Sequence, residues 1–183
     1  MGRRSLKMAI RSSIIALAFL SCTASGFAQA VSADAVSIDV LGADGAKLGT
    51  ASLTDAPRGV LLKVELKGLP PGWHGMHFHE KGDCGDPKFM NSGAHVHAAT
   101  PVVHGLLNAE ANDLGDLPNL YVAADGSAVT EVFSTLVSLK GAGGRPALLD
   151  EDGSALVIHA SPDDFKTQPI GGSGARIACG AIK

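Results

Sequence analysis

Trp73-His74-Gly75-Met76-His77-Phe78-His79 is the stretch of this 183-residue chain whose reading decides the fold. Alternate side chains of a β-strand project to the same face. An extended His77-Phe78-His79 therefore aims two imidazoles at one point in space. Neutral imidazole is the commonest protein ligand for transition metals, so the tripeptide points to a metal centre. Six of the seven histidines fall within residues 72–105: His74, His77, His79, His95, His97 and His104. The seventh, His159, ends the apolar run Leu156-Val157-Ile158. The competing reading is a histidine-rich surface loop plus one core histidine. A surface loop has no reason to embed His-x-His among apolar strand residues.

Outward from this stretch, the chain repeats short alternating or β-branched runs at 36–41, 47–53, 60–66, 73–79, 120–124, 128–132, 155–160 and 176–182. Many are separated by turn signals: Asp44-Gly45, Gly68-Leu69-Pro70-Pro71-Gly72, Asp125-Gly126 and Asp152-Gly153. Asp-Gly suits tight hairpins because both central residues need positive φ. Eight short strands at this spacing predict an all-β antiparallel sandwich or barrel. Residues 81–119 and 162–173 read as long loops rich in Gly, Pro, Asn and Asp. Loops of that length in a compact domain usually carry function.

Arg3, Arg4, Lys7 and Arg11 precede an apolar run, and Ala28-Gln29-Ala30 offers a small-x-small cleavage site. Residues 1–30 thus have the layout of a secretory signal peptide, leaving 31–183 as one domain. The run is too short to span a bilayer. Lipoprotein-type cleavage at Cys22 is the alternative, but Phe19-Leu20-Ser21 is a poor context for it. Residues 31–183 hold 11 Lys and Arg against 18 Asp and Glu, a net −7. That balance disfavours nucleic-acid binding, and an anionic substrate would need a local positive feature. Cys84 and Cys179 remain in an exported chain, so one disulfide is the natural expectation; two separate buried thiols are the alternative.

Gly72-Trp73-His74-Gly75-Met76-His77-Phe78-His79-Glu80-Lys81-Gly82-Asp83-Cys84 resembles the first copper-site motif of the copper-zinc superoxide dismutases. Ser92-Gly93-Ala94-His95 resembles their bridging-histidine segment. His104-Gly105 and Leu114-Gly115-Asp116-Leu117-Pro118-Asn119 are similar to their zinc-loop elements, and 156–159 and 171–180 to their last copper strand and C-terminal signature. The resemblance implies an eight-stranded Greek-key barrel with two long functional loops. It implies copper on His77, His79, His95 and His159, with His95 shared with zinc. It further implies Asp163 as a carboxylate linking a copper ligand to a zinc ligand, His74 as a structural histidine, a Cys84–Cys179 disulfide, and Arg176 as the cation beside copper that attracts superoxide.

The zinc side departs from that pattern. Where the family places a third histidine, three residues before Asp116, this chain has Asp113. The expected set becomes His95, His104, Asp113 and Asp116, a chemistry zinc accepts. Two other outcomes stay open here: His97 compensates, or the site is weak or empty. Glu110 and Lys166 read as solvated side chains.

The activity implied is conversion of two superoxide ions and two protons to dioxygen and hydrogen peroxide. Copper is alternately reduced and oxidised, and His95 carries a proton when it leaves the reduced metal. The expected setting is the periplasm, with no nucleic-acid partner, no membrane span after residue 30, and a possible homodimer. The rival readings are a copper-only dismutase and a non-catalytic copper-binding or delivery module on the same barrel. The delivery reading predicts a missing copper ligand or arginine, and His77, His79, His95, His159 and Arg176 are all present.

Overall fold

The computed structural model describes residues 1–2 and 35–183. The expected signal segment, Cys22 included, lies outside the described residues but for Met1 and Gly2. Nine strands follow: β1 (Ala35–Gly42), β2 (Lys47–Ala56), β3 (Gly59–Lys67), β4 (Gly72–His74), β5 (Met76–His79), β6 (Leu120–Val122), β7 (Ser127–Ser134), β8 (Ser154–His159) and β9 (Arg176–Ile182). All pairings between them are antiparallel. Among the described residues no helix is long and apolar enough to cross a membrane.

The expected closed eight-stranded barrel is corrected by the pairing. Seven strands form an open half-barrel in the order β5-β8-β9-β1-β2-β3-β7, and β4 and β6 form a separate two-stranded sheet. The run expected as one strand over 73–79 divides at Gly75. His74 pairs with Leu120 in one sheet, and Met76 with Ile158 in the other. The Gly75 amide donates to the Ser161 carbonyl (2.8 Å) and its carbonyl accepts from the His159 amide (2.9 Å). Its hydrogen bonds go to the last residue of β8 and to the chain just beyond it, and the pairing partner changes there from β6 to β8.

Alternation explains the core. In β3 the buried Leu62, Val64 and Leu66 alternate with the exposed Lys63 and Glu65. In β5 Met76 and Phe78 join the main apolar core, leaving His77 and His79 on the opposite face. β8 is buried at all six positions. Leu156 and Ile158 enter the main core, while Ala155 and Val157 pack with Phe89 and Cys179 in a second cluster. A strand covered on both faces loses its polar alternation.

The Cys84–Cys179 disulfide closes a sequence separation of 95 residues and ties the first long loop to β9. That loop also caps the outer edge of β5. The Phe78 amide donates to Gly115 (2.8 Å), the Val96 amide to Phe78 (2.9 Å) and the Glu80 amide to Ala94 (2.9 Å). Gly115 is needed for this approach, because a Cβ there would fall on the Phe78 carbonyl oxygen. A third long connection, residues 135–153, joins β7 to β8 and was not singled out from the sequence.

Candidate metal centre

His77 and His79 leave β5 side by side, opposite Val157 and Ala155 of β8. His159 ends β8 beyond a register shift after Ile158. His95 is brought across by its bridge to His79. One ring nitrogen from each of these four buried histidines lies within 4.8 Å of the other three.

Hydrogen bonds decide which nitrogen each ring presents. His77 Nε2 donates to Asp163 Oδ2 (2.8 Å), His79 Nδ1 to the Gly93 carbonyl (3.0 Å) and His159 Nδ1 to the Gly174 carbonyl (3.1 Å). Their other nitrogens, His77 Nδ1, His79 Nε2 and His159 Nε2, are buried without a hydrogen-bond partner, as is His95 Nε2. Unpaired buried polar atoms are costly and call for an explanation. Four lone pairs facing one point are explained by a metal ion, and an all-imidazole set suits copper. Burial, with like charge from neighbouring histidines, holds His79 well below the usual imidazole range and His159 down at about 3. Burial also lowers His77, although the Asp163 hydrogen bond opposes it. These rings are therefore neutral near pH 7, the form that binds metal.

A second convergence begins at the other nitrogen of His95. Its Nδ1 lies 2.6 Å from Asp113 Oδ2 and 3.7 Å from Asp116 Oδ1. His104 Nδ1 lies 3.2 Å and 2.8 Å from the same two oxygens. A tetrahedral zinc with bonds of about 2.0–2.1 Å separates its ligand atoms by roughly 3.3 Å, and the observed spacings bracket that value. Asp116 is buried, and its Oδ1 faces these two imidazoles. The donor atoms of His77, His95, His104 and Asp116 also lie within 4.8 Å of one another. The nitrogens of His77 are already directed elsewhere, to Asp163 and to the four-histidine group, so Asp113 is the better fourth member.

Asp163 lies between the two groups, accepting from His77 Nε2 and, at 3.0 Å, from His104 Nε2. A Cβ on Gly171 would strike its carboxylate, and that residue has φ +59°. Burial opposes ionisation of Asp113 and Asp163, but histidine hydrogen bonds outweigh it and hold both below the usual carboxylate range. Burial likewise opposes charging His104; hydrogen bonds to Asp113, Asp116 and Asp163 overcome it and raise the ring to about 11. His95 is raised on the same balance. Without a metal, His104 is therefore paired as a cation with these carboxylates near pH 7. A metal must displace its proton. Zinc uptake at pH 7 is expected to release at least one proton per site, and affinity to fall as pH is lowered. Indicator-dye titration in weak buffer reads this release directly.

Arg176 is fixed rather than free. Its Nη1 donates to the Phe89 carbonyl (2.6 Å) and Ser92 Oγ (3.0 Å), its Nη2 to the Gly93 carbonyl (2.7 Å). Gly93 also accepts from His79, so one carbonyl joins the guanidinium to the four-histidine group. His74 spans the carbonyl oxygens of Pro70 (2.8 Å) and His159 (2.7 Å), away from both groups. His97 turns outward, its Nδ1 at 2.7 Å from the His95 carbonyl and 3.9 Å from Glu80, and joins neither group. Ser92 and the backbone acceptors at Gly93 and Gly174 were missed from the sequence. A carbonyl has no residue-type signal, and Ser92 sits in a segment noted only for His95.

Residues 47–182 match the model of the copper/zinc superoxide dismutase family. The chain is 69% identical over 140 residues to "Superoxide dismutase [Cu-Zn]" of Caulobacter vibrioides, covering 76% of this chain and 80% of that protein. It is 34% identical over 179 residues to the Escherichia coli protein of the same name, covering 91% and 97%. A SOD-like protein from Bacillus subtilis superposes with TM-score 0.73 at 36% identity, covering 80% of this chain and 97% of that one. The Cu/Zn superoxide dismutase from Brucella abortus superposes with TM-score 0.65 at 28% identity, covering 82% and 100%. With the match running from β2 to β9 and through both histidine groups, the chain belongs to the copper/zinc superoxide dismutase family.

Proposed function

We propose that this chain is a periplasmic superoxide dismutase, with copper on His77, His79, His95 and His159 and zinc on His95, His104, Asp113 and Asp116. The observation that carries the reading is the set of four unpartnered imidazole nitrogens facing one point, with Arg176 pinned beside them. Copper, when bound, supplies a one-electron couple that accepts an electron from one superoxide ion and returns it to another. Arg176 supplies the positive charge that draws and orients the anion. This local field opposes the −7 of residues 31–183 and dominates near the site. His95 holds one nitrogen toward each metal group. Its Nε2 can take up a proton and release it while Nδ1 stays fixed beside Asp113 and Asp116. Asp163 keeps His77 in the tautomer that offers Nδ1. The basic, apolar and small-residue layout of residues 1–30 supports export, and the disulfide fits an oxidising compartment. Association as a homodimer belongs to the same reading, and sedimentation of the metal-loaded protein tests it.

Two carboxylates and two neutral imidazoles leave a zinc ion with no net charge, unlike a three-His, one-Asp set. Metal analysis and dismutase assay of the native chain and Asp113→Ala test the proposal. The native protein is expected to hold one copper and one zinc and to be active. Asp113→Ala is expected to lose zinc affinity by at least the about 10–100-fold seen when a ligand's partner is removed, while keeping copper. Absence of copper-dependent activity would sink the enzyme reading, and unchanged zinc affinity would remove Asp113 from the site.

A further inference from the structure

We infer that Gln168 is a positioning residue for the second metal group, clasping the backbone of His104 from the opposite loop. This rests on the zinc reading above. Gln168 Oε1 accepts from the His104 amide (2.8 Å), and its Nε2 donates to the His104 carbonyl (2.8 Å) and the Lys166 carbonyl (3.0 Å). A primary amide holds an acceptor oxygen and an NH2 with two donors in a single plane. It therefore binds one residue's N–H and C=O much as a neighbouring strand would.

His104 needs such a hold. It lies in an irregular stretch outside any strand, yet its ring must meet Asp113 and Asp116 with Nδ1 and Asp163 with Nε2. Its carbonyl has one further side-chain donor, Asn108 Nδ2 at 3.3 Å. Metal ligands work only when their support keeps them within about 0.5 Å of the productive geometry. A second clasp runs the other way. Asn119, at the end of the first loop, donates from Nδ2 to the Asp163 carbonyl (2.9 Å) and accepts from the Asp163 amide at Oδ1 (2.9 Å). His104 and Asp163 touch through their side chains, and each has its backbone held by a carboxamide from the other's loop. Close packing fits the same picture. A Cβ on Gly105 would fall on the Phe165 carbonyl, and the Leu107 amide donates to that oxygen (3.2 Å). The Gln168 clasp thus ties the second metal group to the loop that leads into Arg176.

Gln168 is exposed and makes no contribution to either apolar cluster, so its replacement is expected to leave the apolar core intact. The test uses protein loaded with copper and zinc: native, Gln168→Ala and Gln168→Glu. Zinc release to a chromophoric chelator, copper content, melting temperature and amide exchange at His104 are measured. Gln168→Ala is expected to speed zinc release about tenfold, the lower end for loss of a ligand's support. Copper content and the melting temperature of the zinc-free protein stay unchanged, the loaded protein loses no more stability than its weaker zinc binding accounts for, and exchange at His104 accelerates. Gln168→Glu keeps the acceptor for the His104 amide but turns an oxygen toward two carbonyls, so its zinc release is at least as fast. Unchanged zinc release in both variants overturns the proposal. So does parallel loss of copper, zinc and melting temperature, which marks a merely structural role. A native protein that takes up no zinc defeats the zinc reading; His104 exchange in the zinc-free native protein and Gln168→Ala then tests the clasp separately, and equal exchange in the two overturns it.

Discussion

Arg176→Glu is expected to lower kcat/KM for superoxide by about 10–10³-fold, the range through which a local field alters the encounter rate of a charged substrate. The native side chain reaches its position through three hydrogen bonds, to Phe89, Ser92 and Gly93. A carboxylate there would repel superoxide and would face two carbonyl oxygens that had accepted from the guanidinium. The sign of the salt effect is the sharper test. Native activity is expected to fall as ionic strength rises, because salt screens attraction between Arg176 and the anion. In Arg176→Glu the same addition screens repulsion, so activity is expected to rise or stay flat. Stopped-flow decay of superoxide over a range of salt concentrations reads both. A variant with native rates and native salt dependence would show that the guanidinium plays no part in capture. Copper content measured alongside separates lost steering from lost metal, since no atom of Arg176 is among the converging ligand atoms.

Removing the disulfide through Cys84→Ser with Cys179→Ser is expected to cost about 2–5 kcal/mol, with the long 95-residue separation favouring the upper half. For a domain of this size that lowers the melting temperature by about 10 °C. Loop closure supplies one part of the effect, because the bond restricts the unfolded chain. Packing supplies another, since Cys179 is fully buried with Phe89, Ala155 and Val157. The bond also anchors the segment that presents the Phe89 and Gly93 carbonyls to Arg176. A loss of activity below the melting transition is therefore expected, larger than the fraction unfolded explains. Calorimetry of oxidised and double-serine protein, with activity assayed well below both transitions, measures the two effects. Equal melting temperatures would remove the disulfide as a source of stability.

How much was legible in the sequence varies with the range of the interaction. His77 and His79 were legible because a strand's two-residue period needs only local backbone geometry. Seven of the eight expected strand runs each correspond to one observed strand for the same reason, and Asp44-Gly45 and Asp125-Gly126 mark turns in which the glycine, not the aspartate, takes positive φ. The division at Gly75 was not legible: it depends on hydrogen bonds to His159 and Ser161, more than eighty residues away. The full burial of β8 carried no alternation to read, since a second cluster under the disulfide covers its outer face. His159 stood out as the lone histidine ending an apolar run, but its place beside β5, like the roles of Asp163 and Arg176, entered through family resemblance, because no local period links them to β5. Gln168 and Asn119 were passed over, one as a loop polar residue and the other as the end of a motif. Their role exists only where the two loops meet.

The histidine-rich sequence by itself determined that this chain has an antiparallel β-architecture and imidazoles suited to a transition metal. Residue type and a two-residue period are local properties, and they survive without the rest of the molecule. The division of the histidines into two groups sharing His95 was implied by the family resemblance, and the tertiary structure shows the long-range contacts that bring each group together. Only it placed Asp113 against His95 and His104 while leaving His97 half-buried on the His95 carbonyl, outside both groups. It also opened the expected barrel into a seven-stranded sheet with a separate pair. Those outcomes depend on which hydrogen-bonding groups meet across long loops, and burial makes each such meeting obligatory once the loops close.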